Sequence, residues 1–166
     1  MSKTVCILLA DEGSNLKLAE NLKTYLESKG AKTHLINLIT FELPLYTFKT
    51  EAEMGIVPNA TKLVEYFKGS DSFLVVSPEY NGTMPPVLSS AICWATRATK
   101  EWRSCFNEKP TGIASYSYTG ANNLFASLRI HLSYIGLNVL ARPIPATPDK
   151  PMLEEDMIAV CDQLLK

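Results

Sequence analysis

Histidine is scarce in this chain of 166 residues, and its cysteines are scattered. His34 and His131 lie far apart in sequence and have no Ser or Cys nucleophile spaced to pair with them, which argues against a catalytic triad. Cys6, Cys93, Cys105 and Cys161 form neither a CxxC nor a Cys/His ligand spacing, so no metal site is expected. They read as reduced thiols of a cytoplasmic protein. No apolar run approaches the length of a membrane span. The first apolar stretch starts only at Val5 and runs into Asp11-Glu12 without a cleavage-site pattern, so a strand is expected there rather than a signal peptide. A basic stripe is missing too: 16 Lys and Arg are intermixed with 17 Asp and Glu, for a net charge of −1. Nucleic acid is therefore not an expected partner, nor is a membrane. Without repeats, low-complexity tracts or Ser/Gly-rich linkers, the length suits a single domain over residues 1–166.

What is present is an alternation of short apolar runs with helical periodicity. Thr4 to Leu9 reads as a strand buried on both faces, and Leu18, Leu22 and Leu26 put an apolar stripe on a helix over residues 14–29 that stops at Lys29-Gly30. Lys32 to Leu38 is the second strand. The connection 39–58 has no clear period but holds Phe41, Tyr46 and Phe48, and a loop of that length is expected to pack over a ligand or a subunit partner. Leu63, Val64 and Phe67 mark a second helix, and Phe73 to Val76 the third strand. A third helix carries Val87, Leu88, Ala91, Ile92 and Ala95, and residues 99–104 form a charged surface connection. Thr111 to Ser115 is the fourth strand. A fourth helix follows with Leu124, Leu128, Leu132 and Ile135, then a fifth strand over Leu137 to Ala141, an irregular exit at Pro143, Pro145 and Pro148, and a last helix with Leu153, Met157, Val160 and Leu164. Five strands alternating with five helices predict an α/β doubly wound parallel sheet.

The most informative stretch is Ser77-Pro78-Glu79-Tyr80-Asn81-Gly82-Thr83-Met84-Pro85-Pro86, where the third strand passes through a polar turn into a helix. In open α/β sheets, ligands lie outside the carboxyl ends of the strands, where turn amides and helix N-termini converge. Pro78 ends the ladder, Gly82 can take positive φ, Thr83 is the candidate N-cap, and Pro85 and Pro86 suit a first helical turn. The Tyr80 ring, with the backbone amides of Glu79, Tyr80 and Asn81, suits a flat, hydrogen-bonding heterocycle.

This stretch resembles the signature T/S-P-E-Y-N-G-S/T-x-P, followed by V-L and A-I/L-x-W, of the NAD(P)H-dependent FMN reductases, a flavodoxin-like family that includes quinone, azo and chromate reductases. Ser77 to Thr83, Pro85, Val87, Leu88, Ala91, Ile92 and Trp94 fit it. Leu43 to Tyr46 and Gly55 to Pro58 resemble the family's connection after the second strand. The resemblance implies a five-stranded parallel sheet of order 2-1-3-4-5 with helices on both faces. It also implies FMN as cofactor, NADPH or NADH as electron donor, and hydride passing through flavin N5 to a small-molecule acceptor: a quinone, azo compound, metal oxyanion or free flavin. A homodimer or homotetramer is implied as well, but no catalytic side chain and no metal. Position by position, Pro78, Glu79, Tyr80, Asn81 and Gly82 would hold the isoalloxazine and ribityl. Ser115, Tyr116, Ser117 and Gly120, in the turn after the fourth strand, would close the other side of the ring. Ser14 and Asn15 would be the residual phosphate site.

Three places depart from the family pattern. The first turn, G-S-x-R-x-x-S-x-N-x-x-L-A in the family, keeps only Asn15 to Ala19, and a shortened Ala10-Asp11-Glu12 replaces the leading Gly-Ser and the arginine. Two carboxylates facing a phosphate oppose it; unit charges about 6 Å apart at an effective dielectric near 20 repel by roughly 3 kcal/mol, about a hundredfold in affinity. The fourth turn has Ser115-Tyr116-Ser117-Tyr118-Thr119-Gly120-Ala121 where S-A-G-x-x-G-G is usual. Ser89, Ser90 and Cys93 stand where Lys, Asn and Asp are common, positions expected near subunit contacts. Asp11 and Glu12 favour one alternative, a flavodoxin-like binding or regulatory module with a weakened FMN phosphate site.

Overall fold

The computed structural model describes residues 2–166, and the sheet is parallel throughout. Strands β1 (Thr4–Leu9), β2 (Lys32–Asn37), β3 (Ser72–Val76), β4 (Pro110–Tyr116) and β5 (Asn138–Val139) lie in the order β2-β1-β3-β4-β5. This is the flavodoxin-like order that the family resemblance implies.

The period of two along each strand divides the core between the two faces of the sheet. Val5, Ile7 and Leu9 of β1 pack with Leu74 and Val76 of β3 beneath helix α1 (Ser14–Ser28) and the C-terminal helix, whereas Cys6, Leu8, Phe73, Val75 and Ile113 face the opposite layer. Helix α1 buries Leu18, Leu22 and Leu26, each contributing about 2 kcal/mol by apolar burial. Helices α3 (Pro58–Lys68), α4 (Pro86–Arg97) and α5 (Asn122–Tyr134) cover the second face, and α6 (Glu154–Leu164) joins α1 on the first. Helix α6 sits tight on β4: a Cβ at Gly112 would stand 2.8 Å from Val160 Cγ1 and 3.0 Å from Leu74 Cδ1.

Three elements differ from the sequence expectation. A seven-residue helix, α2 (Phe48–Met54), lies inside the connection 39–58. It buries no side chain, so it leaves no periodic apolar signal; its marks are its caps, Thr47 Oγ1 accepting from Thr50 N and Gly55 at φ 68°. Residues 102–105 form a 3-10 turn that buries Cys105, so this connection is anchored rather than purely a charged surface. The fifth strand is interrupted. β5 pairs with Pro110 and Thr111, and after residues 140–143 a sixth strand, β6 (Ile144–Ala146), resumes alongside Ala114 to Tyr116. Pro143 has no N–H for the ladder, and the Arg129 guanidinium braces the detour by donating to the Leu140 and Ala141 carbonyls (2.7 and 2.6 Å).

The connection 39–58 packs on its own chain. The buried Trp94 indole donates to Pro44 O (2.7 Å), and Ser90 Oγ accepts from Tyr46 N (2.8 Å). Tyr46 meets Trp94 edge-on, with centroids 5.3 Å apart at 87°. Arg97 holds Glu51 through both carboxylate oxygens, and Tyr46 Oη donates to the same group (2.7 Å), so Arg97 first and Tyr46 second lower the Glu51 carboxyl from its usual range. Ser90 is thus turned inward, onto Pro44 and Tyr46 of its own chain. Outward, the segment exposes Leu45, Phe48, Met54 and Ile56.

All four cysteines are free thiols. Burial pushes Cys161 up to about 12 and raises Cys6, Cys93 and Cys105 as well, which makes them poor nucleophiles. Among the described residues, no helix is long and apolar enough to cross a membrane, and no three His, Cys, Asp or Glu side chains gather as a metal site.

Candidate functional site

The turns after β1, β3 and β4 meet at the carboxyl edge of the sheet. The third turn is self-contained: Tyr80 N donates to Thr83 O (2.9 Å) and Thr83 N to Tyr80 O (3.0 Å), closing a two-residue hairpin over Asn81 and Gly82. Both central residues have positive φ, 50° and 78°, the pairing for which Asn-Gly is favoured. The hairpin takes up the Tyr80 amide, which is therefore not the free donor to a ligand that the sequence suggests. It also removes Thr83 from the helix start. Pro85 is the N-cap of α4, and Thr83 Oγ1 instead donates to Ser127 Oγ on α5 (3.1 Å).

The first and fourth turns are locked together by one side chain. Asn15 is buried in the first turn of α1; its Oδ1 accepts from Tyr116 N (2.7 Å), and its Nδ2 donates to Tyr116 O (3.0 Å) and to Asp11 Oδ2 (3.1 Å). On the other side, Glu79 Oε2 accepts from Thr119 Oγ1 (2.5 Å) and Ser117 Oγ (3.2 Å), tying the third turn to the fourth. Tyr116 to Thr119 is therefore held from both flanks.

Between these ties lies a crevice of about 290 Å³ lined by Asp11, Ser14, Asn15, Pro78, Glu79, Tyr80, Tyr116, Ser117 and Tyr118. All three turns contribute to it. A second hollow of about 420 Å³, lined by Asn81, Gly82, Thr119 and Asn123, adjoins it and shares Glu79, Ser117 and Tyr118. Two expected ring contacts lie elsewhere. Ser115 is fully buried at the end of β4, its hydroxyl without a partner among the described residues, and Gly120 lines a separate hollow with Asn122 and Pro145. Glu12 is exposed and does not line the crevice, so only one of the two first-turn carboxylates, that of Asp11, faces it. Lys17 lies one turn further along α1, on a neighbouring hollow that also touches Ser14 and Tyr116.

The crevice offers a flavin two different environments. The lining suits a ring slot, with Tyr80, Tyr116 and Tyr118 beside Ser117 and Pro78 of two turns. At the tail end, Gly13 caps α1 without a side chain, so the Ser14 and Asn15 amides are the free donors; the Leu16 amide is already bonded to Gly13 O (3.1 Å). These donors sit beside the Asp11 carboxylate.

The sequence places Asp11 and Glu12 alike against the phosphate and does not separate them, and it gives no sign of Thr119 as the partner of Glu79. Thr119 stands in a turn where the sequence departs from the family pattern and carries no motif of its own. Its link to Glu79 spans forty residues and leaves no local spacing to read.

The NADPH-dependent FMN reductase family model matches residues 8–150. The 2-hydroxy-1,4-benzoquinone reductase of a Burkholderia species is 32% identical over 104 residues, 61% of this chain and 54% of that protein. The chain thus spans about half the length of that curated relative. An uncharacterized protein of Mycoplasma pneumoniae is 27% identical over 145 residues, 83% of this chain and 83% of that protein. In fold, the chain is similar to FerB, a flavoenzyme NAD(P)H:(acceptor) oxidoreductase from Paracoccus denitrificans, with a TM-score of 0.78 at 23% identity over 98% of this chain and 95% of that one. Matched over most of its length, with the three turns of its sheet edge gathered on one crevice, this chain belongs to the NADPH-dependent FMN reductase family.

Proposed function

We propose that this chain acts as a single-domain NAD(P)H-dependent flavin oxidoreductase that reduces a small acceptor such as a quinone, azo compound, metal oxyanion or free flavin. The observation that carries the reading is the convergence of three turns, from β1, β3 and β4, on one crevice walled by Tyr80, Tyr116 and Tyr118. When bound, FMN supplies the two-electron chemistry, accepting hydride from NADPH or NADH at N5 and returning it to the acceptor.

The protein's own part is to bind and orient. Pro78, Glu79 and Tyr80 line one side of the crevice, with Asn81 and Gly82 on the adjoining hollow, and Tyr116 to Tyr118, fixed by Asn15 and Glu79, line the other. Ser14 and Asn15 offer their amides to the tail. Glu79 is engaged by two hydroxyls and serves as a latch, so no side chain is assigned as acid or base. A homo-oligomer is supported by the exposed Leu45, Phe48, Met54 and Ile56 on one segment. A cytoplasmic setting agrees with four free thiols.

The test is flavin content of the purified protein, followed by FMN titration and NADPH or NADH oxidation with a benzoquinone acceptor. Saturable flavin binding with acceptor-dependent oxidation of the nicotinamide is expected. A protein that binds no flavin at high micromolar concentration overturns the reading and leaves the flavodoxin-like binding module, which the Asp11 carboxylate on the crevice favours.

A further inference from the structure

We infer that the tail end of the crevice selects for a neutral polyhydroxy chain over a phosphate, so that this protein binds riboflavin at least as tightly as FMN. The inference rests on the reading of the crevice as a flavin slot. Asp11 and Glu79 both line that crevice, and no Lys or Arg does among the described residues. Neither cation nor arginine fork is added by the adjoining hollow, whose charged group is again Glu79.

The Asp11 carboxylate is not free to swing clear. Asn15 Nδ2 donates to it (3.1 Å) while the same carboxamide is bonded to both backbone groups of Tyr116, so the side chain that positions the fourth turn also holds Asp11 over the start of α1. Its oxygens lie 3.6 and 3.9 Å from the point where a Cβ on Gly13 would stand. A phosphate brought to the Ser14 and Asn15 amides would meet this fixed negative charge. A ribityl hydroxyl is a donor, and it would find an acceptor there. Lys17 lines the hollow beyond Ser14 and is not among the residues that line the crevice.

The test titrates the protein with riboflavin and with FMN by flavin fluorescence quenching and compares the two Kd values. A ratio Kd(FMN)/Kd(riboflavin) of one or more is expected, falling at least tenfold in Asp11→Asn, which keeps the acceptor for Asn15 but removes the charge. Raising the salt from about 20 to 500 mM should tighten FMN several-fold and leave riboflavin unchanged, because screening acts only on the charged pair. Glu12→Gln, on an exposed side chain off the crevice, should leave the ratio as it is. A ratio below one in the unaltered protein, or no change of ratio in Asp11→Asn, overturns the inference while the flavin slot stands. Failure of both flavins to bind overturns the inference and the flavin reading together.

Discussion

The turns after β1 and β3 open at the same edge of the same sheet, yet they are built in opposite ways. The third turn closes on itself through two hydrogen bonds between Tyr80 and Thr83, three residues apart, and its shape follows from an Asn-Gly pair that accepts positive φ. The first turn has no such closure. Gly13 gives no side-chain cap, and the turn's geometry depends on Asn15 reaching Tyr116 across 101 residues of sequence. A turn that carries its own geometry can be read from a ten-residue string. A turn held by a distant partner cannot, and it is also one of the three places where this chain departs from the family pattern.

The largest expected effect falls on the long-range tie. Asn15→Ala removes three buried or half-buried hydrogen bonds and leaves the Tyr116 backbone unpaired, a cost of about 2–3 kcal/mol, read as a lower urea midpoint at unchanged m. If it cost no more than a surface substitution, the two turns would not differ as argued. Gly82→Val places a β-branched residue at φ 78° and should cost about 1–2 kcal/mol, with flavin affinity falling more than tenfold. The affinity loss is read by fluorescence titration and the stability loss by urea unfolding. Glu79→Ala frees Ser117 and Thr119 and should cost about 1 kcal/mol or less, because the group is partly exposed, while weakening flavin binding several-fold. Glu79→Gln, which keeps an acceptor oxygen, should restore most of it.

The smallest effect lies outside both turns. Burial lowers the pKa of His131, whose Nε2 has no partner among the described residues. Above the ordinary histidine value the ring is neutral in both states and costs nothing. As pH falls below that value the unfolded chain takes up a proton that the folded chain refuses, so stability declines until the lowered folded pKa is reached. His34, lowered by burial and then by Lys32, adds to the same slope. His131→Phe should flatten Tm between about pH 7 and 5 without altering the Kd ratio of the two flavins.

The same division between local and distant bonds decides what was legible in the sequence. Strands β1, β3 and β4 are buried along nearly their whole length and helices α1, α4, α5 and α6 bury an apolar stripe, so run length and periodicity find them, whereas β2 buries only Ile36. Helix α2 buries nothing, so only Thr47 and Gly55 betray it, and the β5–β6 interruption is imposed by Pro143 and by Arg129 from another element. At the site, the motif marks the third turn, whose residues line the crevice and its adjoining hollow. Ser115 was misplaced because strand alternation turns it inward, and the difference between Asp11 and Glu12 depends on a side-chain bond to Asn15 that adjacent carboxylates do not announce.

The strap over α4 gives the protein a built-in optical gauge. Of its two tryptophans, Trp94 has no exposed surface, and its indole is bonded to Pro44 and capped by the Tyr46 ring, whereas Trp102 is only partly covered and lies beneath the Arg103 guanidinium, 4.5 Å from the ring centre. Lifting of residues 43–46 would wet one indole and leave the other as it was. The blue-edge emission of Trp94 would then follow the seating of the strap alone, distinct from global melting, and an excitation-transfer partner placed on Phe48 would time its departure.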